Sequence, residues 1–208
     1  MSGLMANPRA VIGITGLDVI DKMETPWIKR EYTRYIRQLS ADTDFNRMRK
    51  YILQPEYYGK YRILWGVTKT SVLRDAFSEV LCNLEPGDRW MWSILPIDFA
   101  VLSRGDLVVD PRNLYHVELL PTSDGMKESK AVDHDLIKIC RMGFRSFRRV
   151  IQKHPGLTSL EKWFLTILLK LEENYALARL IPFQMIRAHS PRAARLIKKL
   201  WFEILVRR

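Results

Sequence analysis

The stretch DLIKICRMGFRSFRRVIQK, residues 135–153, shows most directly how the chain must fold. Consecutive side chains on a helix are about 100° apart, and this spacing separates its cations from its apolar residues. A strand would place Arg141 on one face with Ile137 and Ile139, so a strand is excluded. The basic side holds Lys138, Arg141, Arg145, Arg148, Arg149 and Lys153, and the apolar side holds Leu136, Ile137, Ile139, Cys140, Phe144, Phe147, Val150 and Ile151. The stretch therefore predicts an amphipathic helix with a core behind it and a cationic face in front.

The net charge of +11 on 208 residues is concentrated near the carboxyl end. Residues 138–208 carry 16 Lys and Arg against 4 Asp and Glu, whereas residues 1–137 carry 18 against 19. This imbalance indicates a nucleic acid, an anionic membrane surface or an acidic partner. A cationic face that only keeps the protein in solution is the alternative interpretation.

Composition places the chain among folded globular proteins, with 47% apolar and 27% charged residues. Its two cysteines, Cys82 and Cys140, lie on apolar faces of predicted helices. They form neither a disulfide framework nor a zinc knuckle, which favours a reducing intracellular compartment, cytoplasmic or nuclear. No apolar run is long enough to span a membrane, although peripheral attachment to a membrane stays open.

The pattern of the whole chain predicts an α+β fold. It comprises N-terminal helices and a small, mostly antiparallel sheet with one packed helix, followed by a C-terminal basic helical subdomain. The segment 121–130, PTSDGMKESK, has the composition of a linker. We therefore expect an α+β domain over residues 1–125 and a helical subdomain, packed on it, over residues 126–208. The predicted helices are 25–39, 44–53 and 71–84, and the predicted strands are 10–17, 61–69, 106–110 and 114–120.

The longest apolar helix is predicted over residues 160–181. Thr158 and Glu161 have the spacing of a capping box, which marks its start. Apolar residues cover well over half of its circumference, a pattern typical of a helix at the buried centre of its subdomain. Pro182 is expected to end it.

A last helix, to about residue 206, repeats the amphipathic pattern after Ser190 and Pro191. Phe202 falls among its cations, where an aromatic ring could stack on a base or dip below lipid headgroups. Burial of that ring under another segment is the alternative. The cations on this helix are Arg192, Arg195, Lys198 and Lys199.

These features predict a non-enzymatic protein that binds polyanions, contacting the backbone of RNA or DNA through its C-terminal basic helices. Arginine outnumbers lysine on the two helices and can bind phosphate bidentately. No recognised nucleic-acid-binding module is present, so we expect no reading of base sequence. We predict no catalytic residue, no cofactor and no metal. The predicted anion-binding residues are Lys138, Arg141, Arg145, Arg148, Arg149, Lys153, Arg192, Arg195, Lys198, Lys199 and Phe202.

Two other functions are compatible with the sequence. The first is a peripheral membrane or matrix-type structural protein, with the same cations and with Phe202 and Trp201 at anionic lipid. The second is a metal-dependent nuclease-like enzyme, but Glu118 lacks the lysine that such a site needs two residues later. Its carboxylates and histidines would be Asp98, Asp106, Asp110, His116, Glu118, Asp133, His134 and Asp135. A protein partner or self-association is also left open.

Overall fold

The computed structural model describes residues 7–21, 28–31, 33–54, 63, 66–82, 90–119 and 136–189. Helices and strands are mixed, which confirms the predicted α+β class. The elements are β1 (Ala10–Asp21), β2 (Ile28–Glu31), α1 (Thr33–Arg37), α2 (Asp44–Leu53), β3 (Val67–Thr68), α3 (Thr70–Leu81), α4 (Trp90–Ser103), β4 (Asp106–Leu119), α5 (Leu136–Lys153) and α6 (Ser159–His189).

Every strand of the sheet pairs with β1. Its pairings with β2 and β3 are antiparallel, as predicted, but the longest pairing is parallel and joins β1 to β4. The two strands predicted at 106–110 and 114–120 are one continuous strand. Thr15 pairs with Asp110 and Gly16 with Asn113, so the two residues between these partners are absorbed by a shift in register.

The N-terminal helices are only partly as predicted. The helix α2 has the predicted bounds, and the Thr43 hydroxyl caps it by accepting the Asn46 N–H at 3.2 Å. The helix predicted over 25–39 is wrong, because the chain forms β2 and then the short α1 there. Pairing with β1 satisfies the backbone of β2, and this tertiary contact overrides the helical pattern. Within the strand predicted over 61–69, the structure describes strand only at Val67–Thr68.

The centre of the core is α4. Residues 96–103 are buried without interruption, so this end of the helix is enclosed on every side. It packs against α2, α3, α5 and β1. The sequence predicts the helix over 160–181 as the buried centre of the C-terminal subdomain, and this prediction is wrong, because Leu160, Trp163 and Leu171 are exposed. Asp98, expected on or beside a strand, is fully buried on α4.

A close approach of two backbones fixes the turn between α4 and β4. The N–H of Asp106 donates to the carbonyl oxygen of Arg9 at 2.8 Å. A Cβ at Gly105 would collide with the side chain of Val11 and with that same carbonyl oxygen. Glycine is therefore required for β4 to start beside β1.

A buried arginine joins α2 to the end of α4. The guanidinium of Arg47, 1% exposed, donates to the carbonyl oxygens of Leu102 at 3.1 Å and Ala41 at 2.7 Å. It also forms an ion pair with Asp44. Its charge is thus satisfied inside the molecule, as a buried cation requires.

His154 joins the turn between α5 and α6 to the same end of α4. Its Nδ1 accepts the N–H of Gly156 at 3.1 Å, so Nε2 carries the hydrogen and donates to the carbonyl oxygen of Ser103 at 2.8 Å. Ser103 is the last residue of α4. The histidine therefore anchors both C-terminal helices to the central helix.

The start of α6 is the predicted capping box. The hydroxyl of Thr158 accepts the N–H of Glu161 at 3.3 Å, and the Glu161 carboxylate accepts the N–H of Thr158 at 2.8 Å. This backbone hydrogen bond lowers the pKa of Glu161. The predicted end at Pro182 is wrong, since the helix continues to His189.

Candidate anion-binding surface

The helix α5 is held by its apolar side. Cys140, Phe147, Val150 and Ile151 are buried, and the ring of Phe147 meets that of Phe99 on α4 edge-on at 4.9 Å. This packing fixes the rotation of the helix, so its opposite side faces solvent. The amphipathic helix predicted from the sequence is thereby confirmed.

Five of the six predicted cations of α5 are exposed. They are three or four residues apart, so they form one row along the helix. Within the part of the chain that the structure describes, none of them forms an ion pair. We call Lys138, Arg141, Arg145, Arg149 and Lys153 the basic row.

Arg148 differs from its neighbours because it binds a carboxylate of the next helix. Its guanidinium donates to Glu173 on α6 at 2.9 Å, and the ammonium of Lys170 reaches the same oxygen at 2.9 Å. Burial opposes ionisation of Glu173, but the hydrogen bonds from Lys170 and Arg148 outweigh it, so its pKa is lowered. Arg148 therefore links α5 to α6 and is left out of the basic row.

The basic row keeps its charge available. Two acidic residues from the front of the chain pair with other cations: Asp44 pairs with Arg47, and Glu79 on α3 pairs with Arg104. Because the row is exposed and its helix is fixed, an anion would meet several positive charges at once. The charge and the exposure of the row are suited to contact with an anionic partner.

The second predicted basic helix lies outside the described residues. This applies to Arg192, Arg195, Lys198, Lys199 and Phe202, and to Trp201 of the membrane alternative. Their predicted role in anion binding stays a prediction.

The carboxylates considered for a metal site do not converge where the structure describes them. No group of three or more His, Cys, Asp and Glu side chains suited to a metal ion occurs in those parts of the chain. Asp106 accepts the Ser40 hydroxyl at 2.8 Å and the N–H of Leu107 at 2.9 Å, both ordinary structural bonds. The run Asp133, His134 and Asp135 lies outside the described residues.

Sequence reasoning missed a second exposed surface, on α6. Leu165 and Leu169 bury one face of this helix, but the opposite face carries large apolar side chains that are 41–73% exposed, among which the ring of Phe164 also meets that of Phe45 on α2 at 5.8 Å. We call this face the apolar stripe; it comprises Leu160, Trp163, Phe164, Ile167, Leu171 and Tyr175. The signal that could have revealed it is the width of the apolar arc, which exceeds what one core contact can cover.

Comparisons of the chain with protein-family models, with curated proteins and with solved structures find no match. A search of the described helices finds none that combines the length and the apolar character needed to cross a bilayer.

Proposed function

We propose that the protein binds the phosphate backbone of RNA or DNA through the basic row of α5, without catalysis and without reading base sequence. The observation that supports this proposal is the exposure of five cations in one row, on a helix whose other side is buried. A rigid row of cations binds a polyanion at a lower entropic cost than cations on a flexible tail.

The row has the dimensions that such binding needs. It extends over about 22 Å, at a rise of about 1.5 Å per residue, and can face several phosphates. Each neutralised phosphate releases counterions, so affinity should fall steeply with salt. Three of the five members are arginine, whose planar fork can bind two phosphate oxygens together.

The test compares two variants of equal net charge. The first replaces Arg141, Arg145 and Arg149 with Gln, and it spares Arg148 because that residue holds Glu173. Affinities for single-stranded RNA and double-stranded DNA are measured over a series of salt concentrations. We expect weaker binding and a salt slope smaller by about 2, since each lost phosphate contact lowers the slope by about 0.7–0.9.

The matched control removes three positive charges from other faces of the molecule. Arg34, Arg37 and Arg74 are exposed on α1 and α3, and their replacement with Gln lowers the net charge equally. This control should keep most of the affinity and of the salt slope. Equal behaviour of the two variants would contradict the proposal, because binding would then follow total charge rather than the row.

A second candidate function is attachment to an anionic membrane surface. The observation that favours it is that the apolar stripe lies on α6, which packs directly against α5. Cations beside exposed aromatic and aliphatic residues are typical of interfacial binding. Sedimentation with vesicles separates the two functions: pelleting with anionic but not neutral lipid, without nucleic-acid binding, would favour the membrane.

A further inference from the structure

The apolar stripe of α6 is as large as the largest apolar patch found on a typical monomer. Its six side chains are between 41% and 73% exposed, although all six are large and apolar or aromatic. Their exposed area is on the order of 600 Å², taking about 150–250 Å² for a fully exposed side chain. A typical monomer has a largest patch of about 300–600 Å², so this stripe is at the upper limit and indicates an interaction surface.

We propose that the stripe packs against the same stripe of a second copy of this chain. This inference is independent of the proposed binding to nucleic acid. Two stripes face to face would bury about 1,200 Å², the lower limit for a specific and stable interface. A self-complementary patch of this kind is what a two-fold dimer requires.

The exposed residues of α6 have a spacing that a second helix can use. They recur at alternating steps of three and four, as do the seam residues of a helix that packs lengthwise on another helix. The seam residues are Leu160, Phe164, Ile167, Leu171, Asn174, Ala178 and Ile181.

The polar residues along the seam also suit a helical partner. Asn174, in the middle of the seam, is the kind of residue that fixes register between paired helices. Lys170 is exposed beside the seam, but its ammonium is bound by Glu173 of the same copy at 2.9 Å. Two copies could therefore approach without leaving a lysine unpaired between them.

A dimer through α6 would also place two basic rows on one particle. Because α5 packs against α6 in each copy, a dimer through α6 would carry one row on each side of the paired helices. Two rows on one particle would raise the apparent affinity for a long polyanion without any new contact.

The test measures the mass of the full chain by sedimentation equilibrium over a wide range of concentration. We expect a concentration-dependent dimer, twice the 24.5 kDa of one chain. Leu160→Glu with Leu171→Glu should give a monomer whose thermal midpoint matches that of the diluted wild type. The milder pair Leu160→Ala with Leu171→Ala should raise the dimer dissociation constant by about tenfold or more.

Val67→Glu is the matched control, because Val67 is 51% exposed and lies on β3 rather than on α6. It should leave the dimer unchanged. A monomeric mass at every concentration would overturn the proposal, whether lipid or residues 190–208 of the same chain then cover the stripe. A dimer that persists in both leucine pairs would overturn it as well, since the contact would lie elsewhere.

Discussion

The helices α5 and α6 pack side by side and differ in what they show to solvent. Each has one buried face: Val150 and Ile151 on α5, Leu165 and Leu169 on α6. The outer face of α5 is the basic row, whereas the outer face of α6 is the apolar stripe. The inner faces supply the buried side chains of the core, so the two outer faces are where function can be sought.

The contrast also shows when the sequence of a helix predicts which of its faces is buried. In α5 one side is charged and the other is apolar, and this difference predicts which side is buried, because charged side chains are rarely found in a core. In α6 both sides are apolar, and composition cannot say which of them meets the core. An apolar face left in solvent is therefore informative in a way that an exposed charge is not.

The largest expected effects come from the inner faces, which should behave alike in the two helices. Ile151→Ala and Leu165→Ala each remove a fully buried side chain, and each should lower the free energy of unfolding by about 2–5 kcal/mol. Leu160→Ala, on the outer face of α6, should cost less than about 0.5 kcal/mol in a monomer. Urea denaturation at low protein concentration measures all three.

Equal losses for Leu160→Ala and Leu165→Ala would contradict the assignment of inner and outer faces on α6. The matched pair is informative because both are leucines of one helix, five residues apart.

The next effect concerns Glu173, which holds the two helices together through Arg148. Glu173→Gln keeps the shape but removes the charge, and it should lower the free energy of unfolding at neutral pH by about 1–2 kcal/mol. Because the pKa of Glu173 is lowered in the folded protein, its contribution is present at neutral pH and is lost as pH falls through that lowered value. Urea denaturation at neutral and acid pH measures the change.

Wild type and Glu173→Gln should therefore converge in stability at acid pH, where the wild-type carboxyl is protonated as well. A difference that is constant with pH would mean that the charge of Glu173 is not what links α5 to α6.

The parts of the fold that could be predicted are those decided locally. The polarity of α5, the bounds of α2 and the capping box at Thr158 depend on residues a few positions apart, and all three are confirmed. The errors concern contacts between separate elements. The pairing of β2 with β1 joins residues that are close in sequence, Asp21 with Ile28 and Asp18 with Glu31, but it replaces a helical pattern with a strand. The burial of α4 at the centre is set by packing against elements far along the chain, such as α5 and β1.

In the candidate surfaces, too, the features decided locally could be predicted and those decided by contacts between helices could not. Its charged half, the basic row, could be located from sequence because cations at helical spacing share a face. The pairing of Arg148 with Glu173 could not, since the two residues belong to different helices. The exposure of Trp163 could not either, because an apolar residue on an apolar helix gives no sign of its direction.

A smaller effect is expected at the junction of the two helices. Thr158→Ala removes the hydroxyl that caps α6 and should lower the free energy of unfolding by about 1 kcal/mol. Ser159→Ala is the matched control, because the neighbouring Ser159 is already the first residue of the helix. Thermal unfolding of the two variants checks the difference, and equal midpoints would mean that the cap does not stabilise α6.

The smallest expected effect is on the outer face of α5, and its sign matters more than its size. Arg141, Arg145 and Arg149 are four residues apart, so neighbours along the row repel each other by a few tenths of a kcal/mol per pair. Replacing all three with Gln should therefore leave stability unchanged or raise it slightly at low salt, and added salt should remove the gain.

Urea denaturation of this triple variant at two salt concentrations decides what the row is for. A neutral or stabilising result means that the fold does not need these charges, which is what a surface used for binding predicts. A loss of more than about 1 kcal/mol would mean that the guanidiniums hold other parts of the same chain. In that case the row would stabilise the molecule from within, and the outer face of α5 would not be available to a partner.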